Sequence, residues 1–262
     1  MDYSKILQKI INYIIKNGIP KYLKNKTFIN KKFDNTKDFL VYANELVKSY
    51  HKHSFIRLYN NQEPNIESKF SYSKNIGIIK LYSFDNKDIE KYKNDIINFI
   101  SNPKLEGLIL DFRKHHGGNM WPLVDALSRF LDNSTLFAWS NEKVSFKDKK
   151  WWNFINGKIK INQTFIKGAN INYPIAIIIG PHTASAGEFI ASCFINRDNV
   201  KIFGGKTAGY LSVNNTVTID DYQLNIPETL QTSRDGKFRE YIKPDIYTSK
   251  PITEAKLWIR NN

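Results

Sequence analysis

Four runs of mostly apolar, branched residues constrain this chain more than any other feature. They are "IGIIKLYSF" at 76–84, "LEGLILDFR" at 105–113, "YPIAIIIG" at 173–180 and "NVKIFG" at 199–204. Runs of this kind read as strands buried on both faces, the pattern of a parallel sheet. Helix-period segments stand between them, at 86–101, in "MWPLVDALSRFL" (120–131) and in "GEFIASCFI" (187–195). Strand and helix in alternation predict an α/β domain with a mainly parallel sheet. A hairpin is expected over 211–230, turning near Asp220 and Asp221, and a closing helix over 251–260. Upstream, apolar positions three and four apart predict two amphipathic helices, at 4–17 and 37–50. "KHSFIRLYN" (52–60) reads as a short strand and 60–74 as a polar loop. "TLFAWS" (135–140) and the stretch around Trp151 and Trp152 read as strand or hairpin. The expected division is an N-terminal helical cap with one strand over 1–70, joined to a core over 71–262.

The 262 residues, 41% hydrophobic, suffice for one large domain with a small appendage. No apolar stretch approaches the ~20 residues of a membrane span. The opening "MDYSKILQKIINYIIKNG" alternates apolar and charged residues at helical spacing and lacks the pattern of a signal peptide, which predicts a cytoplasmic location. The single cysteine, Cys193, excludes an internal disulfide and a multi-cysteine metal cluster. Its place on the apolar side of a helix predicts a buried, inert thiol. The net charge of +14 comes mostly from Lys scattered among Asn, Ile and Tyr. Arg, the better phosphate fork, is scarce, and no nucleic-acid motif is present, so no nucleic-acid partner is expected.

In open α/β folds, sites gather where strands end and helices begin. Two such junctions here carry unusual chemistry. In "LDFRKHHGGNMWP" (110–122), a Gly pair after a buried strand lets the backbone approach a ligand and turn its N–H groups inward. In "PHTASAGEFIAS" (181–192), Ser185 opens a helix. Ser185-x-x-Glu188 fits a capping box, and Ser185 also stands in the field of a helix N-terminus, where developing negative charge is stabilised. The N–H of Ala186 can then act as one oxyanion donor, and Gly117 or Gly118 as the second. A serine nucleophile needs a base, and the chain has His51, His53, His115, His116 and His182. Alternation along an extended segment would put His51 and His53 on one side. The residues alone leave the base open.

Together the two junctions resemble the tail-specific, or C-terminal processing, serine peptidase family. That family carries Leu-Asp-x-Arg-x-x-x-Gly-Gly, then Thr/Ser-Ala-Ser-x-x-Glu, then Gly-x-x-Thr-x-Gly and a late Pro-Asp. Here these stand as "LDFRKHHGG" (110–118), "TASAGE" (183–188), "GGKTAG" (204–209) and "KPDI" (243–246), in the family's order. The resemblance covers about residues 40 to 250. It implies a ClpP/crotonase-like α/β core and Ser185 as nucleophile. Where the Ser-Lys branch has its lysine, this chain has Tyr210, and Lys206 falls before the Thr. The chain is therefore more similar to the Ser-His branch, which includes the tricorn core and the nisin-resistance peptidase. In that branch a histidine precedes Ser or Thr and an apolar strand, and "HSFI" implies His53 as the base. Glu240, just before "YIKPDI", is the nearest match for the carboxylate that orients the imidazole.

The resemblance implies a serine endopeptidase acting on peptides or proteins, with no metal or organic cofactor. A PDZ domain is not expected in a chain of this length. Two alternatives stay open: an inactive relative that binds peptides or another ligand, and an acyl-CoA enzyme sharing the oxyanion architecture. Asp111 and Arg113 are expected to form a structural pair, and Trp121, Trp151 and Trp152 to serve as core or groove wall.

Overall fold

A computed structural model of the chain describes residues 2–23, 31–59, 67–84, 88–131, 139–140, 172–233, 235 and 237–262. In chain order the elements begin with helices α1 (Tyr3–Asn17), α2 (Pro20–Leu23) and α3 (Thr36–Tyr50). Strands β1 (Phe55–Leu58), β2 (Lys69–Ser73) and β3 (Ile76–Phe84) follow, then α4 (Ile89–Ile100) and β4 (Gly107–Gly118). Next come α5 (Trp121–Ala126), a 3-10 turn (Ser128–Phe130), β5 (Trp139–Ser140), β6 (Ile175–Ile179) and α6 (Ala186–Ser192). The chain closes through β7 (Val200–Gly204), β8 (Ser212–Ile219), β9 (Tyr222–Gln231), β10 (Ile246–Tyr247) and α7 (Pro251–Arg260).

The chain divides into two compact units. One holds residues 1–63, 139–145 and 212–231; it takes in the hairpin at 212–231, which a cut at residue 70 would leave with the other unit. Here β9 pairs antiparallel with β1, β5 and β8. The β8–β9 turn falls at Asp220, at φ 51°, as the sequence predicts. Both long helices are capped from their N-cap side chains, α1 by Asp2 and α3 by Asn35. Their apolar stripes, Ile6, Leu7, Ile10 and Ile14 with Phe39, Ala43 and Val47, pack with Tyr222, Leu224 and Ile226 of the sheet. This burial holds marginal 15-residue helices in place.

The other unit holds residues 64–138, 146–211 and 232–262. Its sheet runs in the order β10-β7-β6-β4-β3-β2. Among the described residues β3, β4, β6, β7 and β10 are parallel, and β2 at the edge is antiparallel. The α/β fold class expected from the four apolar runs is the observed one. All five residues of β6, "IAIII", are buried, which is why that strand shows no alternation. Ile109, Ala176, Ile178 and Phe203 pack with Ala255 and Ile259 of α7.

Four local expectations are corrected. Residues 60–74 are not loop throughout, because Lys69–Ser73 pairs with β3 as an exposed edge strand. The strand expected over 105–113 runs on through "HHGG": β4 reaches Gly118, which still pairs with Phe84 across two register shifts. The helix expected over 120–131 stops at Ala126 and tightens into the 3-10 turn. The helix expected to reach residue 195 ends at Ser192. The stretch around Trp151 and Trp152 lies outside the described residues. No helix among the described residues is long and apolar enough to cross a membrane.

Candidate active site

β6 ends at Ile179, and a short turn leads into α6. Thr183 builds this turn: its Oγ1 accepts from Gly180 N–H at 3.0 Å and donates to the Phe112 carbonyl at 3.0 Å. Ala184 N–H donates to the His115 carbonyl at 3.0 Å, which ties the turn to β4. The next residue is Ser185, with φ 51° and ψ −117°, a conformation that costs a non-Gly residue of order 1–3 kcal/mol. Strain of this kind persists only where the surroundings hold it.

Glu188 does much of that holding. Fully buried, it accepts from Ser185 N–H at 3.1 Å, from Gly209 N–H at 2.8 Å and from Tyr210 N–H at 2.6 Å. Burial raises its pKa above the ordinary value, while hydrogen bonds from the Thr207 side chain and from these three N–H groups oppose the rise. "GGKTAG" is thus a loop that closes onto the serine turn, with Ala208 N–H also donating to the Thr183 carbonyl at 3.0 Å. The segment that leads into and includes "KPDI", residues 242–246, anchors it in turn. Ile242 N–H donates to Thr207 Oγ1 at 2.8 Å, and Asp245 accepts from Ile202 N–H of β7 at 2.8 Å. Lys206 points elsewhere, its Nζ 4.1 Å from the centre of the Tyr241 ring.

The glycines at the end of β4 reach the same turn. A Cβ at Gly117 would lie 3.0 Å from Ser185 Cβ and 3.5 Å from Ser185 Oγ. Gly117 and Gly118 have φ of 131° and 103°, which other residues rarely adopt. A Cβ at Gly118 would collide with the Phe84 carbonyl. Asp111 and Arg113 form the expected structural pair, with Arg113 Nη2 2.7 Å from Asp111 Oδ2. This ion pair raises the Arg113 pKa.

The histidines separate by environment. His115 is fully buried under the turn, where burial lowers its pKa to about 4. His116 and His182 are exposed, with ring centres 5.9 Å apart. His51 and His53 do not lie on an extended segment. Residues 51–54 form a turn closed by Ser54 N–H to the His51 carbonyl at 2.9 Å. Within it His51 Nδ1 accepts from His53 N–H at 3.1 Å, and its ring packs on Tyr22. His53 Nδ1 meets Ser212 Oγ at 2.6 Å. Burial, then the neighbouring His51 and Lys52, lower the His53 pKa to about 3.

Glu240 is exposed, on the segment before β10, where it lines a cleft with Phe194, Ile202 and Tyr241. Cys193 is buried, as its place on the apolar side of the helix predicts, with its Sγ 3.4 Å from the Phe189 carbonyl. Trp121 is exposed, so it is not core. Sequence reasoning missed Thr183, Thr207 and Ser212. The first two stand inside quoted motifs, and Ser212 carried one signal, its spacing of two from Asn214 on a strand.

The model of peptidase family S41 matches residues 75–248, which include all four motifs. The chain belongs to peptidase family S41. It is a serine peptidase of the tail-specific family, as the motifs imply. The nisin-resistance protein of Lactococcus lactis subsp. lactis is 30% identical over 226 residues, covering 80% of this chain and 70% of that protein. The carboxy-terminal processing protease CtpA of Bacillus subtilis (strain 168) is 25% identical over 191 residues, 71% of this chain but only 38% of that longer protein. Among solved structures, a lipoprotein from Streptococcus agalactiae superposes with a TM-score of 0.75 at 25% identity, covering 100% of this S41 chain and 97% of that one.

Proposed function

We propose that this S41 peptidase is an endopeptidase with Ser185 as nucleophile and His53 as general base. The oxyanion donors are the N–H groups of Ala186 and of Gly117 or Gly118. The observation that carries the reading is the Ser185 turn itself: a strained serine at the head of α6, tied by Glu188 and packed against a positive-φ glycine. His53 takes the Oγ proton as Oγ attacks the peptide carbonyl, and the donors receive the negative oxygen. The imidazolium returns its proton to the leaving amine. Water then resolves the acyl-enzyme, again through His53.

The names of the two curated relatives, for nisin resistance and carboxy-terminal processing, favour peptides or protein tails as substrates. The streptococcal protein's description as a lipoprotein favours work outside the cytoplasm, against the cytoplasmic expectation, and fractionation of producing cells decides between them.

The test is labelling with a fluorophosphonate, followed by intact mass. Wild type takes up one label, while Ser185→Ala and His53→Ala take up none at the same exposure. Unchanged labelling of His53→Ala would remove His53 as base. No labelling of the folded wild type would favour a binding protein on the same fold.

A further inference from the structure

We infer that Ser212 is a positioning residue that holds His53 in its Nδ1–H tautomer, with Asn214 setting the direction of every hydrogen in the chain. The inference deepens the reading of His53 as base and rests on it.

The directions follow from which atoms can donate. Asn214 Nδ2 faces the His53 carbonyl at 2.9 Å, and a carbonyl only accepts. The amide is therefore fixed with Oδ1 toward Ser212 Oγ, at 2.9 Å. That oxygen also only accepts, so the single hydroxyl hydrogen of Ser212 is committed to it. Ser212 Oγ then meets His53 Nδ1 with a lone pair, and Nδ1 must carry the proton. A neutral imidazole has one N–H, so its lone pair is on Nε2.

The relay is braced by the sheet. Asn214 Nδ2 also donates to Asn225 Oδ1, and Asn225 Nδ2 donates to Thr216 Oγ1 at 2.7 Å. Thr216 and Asn225 are register partners of β8 and β9, and a register shift falls between Val213 and Asn214. Such irregularities re-aim side chains beside functional positions. Ser212 is itself buried at the start of β8. A hydroxyl thus occupies the nitrogen for which the sequence suggested Glu240. It orients the ring as a carboxylate would and contributes no charge to the imidazolium.

Two measurements test this. Long-range proton–nitrogen NMR on protein carrying 15N-labelled histidine reads the tautomer directly, with His53→Ala assigning the signal. Wild type should show His53 protonated at Nδ1, and Ser212→Ala should shift it toward Nε2–H. In parallel, the maximal rate of fluorophosphonate labelling at saturating probe should fall about 10- to 100-fold in Ser212→Ala, the range for loss of an orienting partner, with little change in half-saturation. Ser212→Thr, which keeps the hydroxyl, should restore both readouts. Nε2–H in the wild type overturns the inference without need of any variant, as does Ser212→Ala with unchanged tautomer and rate. If His53→Ala labels like wild type, the base assignment falls, and any catalytic role for Ser212 falls with it.

Discussion

A single carboxylate, Glu188, accepts from Ser185, Gly209 and Tyr210. Its Oε2 serves two N–H groups and its Oε1 the third. The residue that reads as half of a capping box therefore also joins the Ser185 turn to the segment 204–210. The two meanings of the Ser-x-x-Glu pattern are compatible: the carboxylate fixes the serine backbone, and the serine side chain carries the proposed chemistry. Glu188→Gln keeps the shape but turns an NH2 group toward at least one backbone donor, leaving a buried pair unsatisfied. Such a loss costs about 1–3 kcal/mol. The expected result is that much lost stability in urea unfolding and a drop of roughly tenfold or more in labelling of Ser185, because misplaced reacting groups lose rate steeply. Equal stability and equal labelling would show that the carboxylate charge is not what holds the turn.

At the level of elements, α7 depends on one close approach. A Cβ at Gly107 would collide with the Ile259 side chain, so β4 and α7 pack only because residue 107 has none. Gly107→Ala should cost about 1–3 kcal/mol by overpacking. Ile259→Ala should also destabilise, by roughly 2–4 kcal/mol through a cavity. In the double variant the added methyl fills part of that cavity, so the two costs should sum to more than the pair loses. Additive losses in urea unfolding would mean that the helix seats elsewhere. The same pair shows how far the sequence could be read. The runs at 107–112 and 175–179 were legible because strands buried on both faces need continuous apolar residues. β2 was not, since an exposed edge strand such as "KFSYS" carries no core pattern. The continuation of β4 through Gly117 and Gly118 was hidden because a glycine pair ordinarily signals a turn, whereas here positive φ keeps Gly118 in register with Phe84. On the site, Ser185 and the glycines were legible as motif residues. Ser212 was not, because its contact with His53 spans 159 positions and depends on the pairing of β1, β8 and β9.

Over the whole molecule, acid should weaken the fold through groups that ordinary charge counting ignores. The +14 charge already gives the compact state self-repulsion. His115 adds a specific contribution. In the folded protein burial lowers its pKa from 6.5 to about 4, whereas the unfolded chain binds the proton near 6.5. Between these values the unfolded state holds more protons, so stability is intact above pH 6.5 and falls as pH drops toward 4. The loss from this residue alone is about 2 kcal/mol between pH 7 and pH 5. His53, lowered to about 3, adds a loss of the same sign. Urea unfolding at both pH values measures the sum, and His115→Phe isolates one share, because phenylalanine keeps a ring beneath Gly187 but cannot titrate. The variant should lose less stability than wild type on moving from pH 7 to pH 5, by about 2 kcal/mol. Identical losses would mean that His115 takes up its proton in the folded state, which requires the turn above it to admit water or open. Labelling of Ser185 would then fall over the same pH range, because His115 lies under the turn that positions the serine.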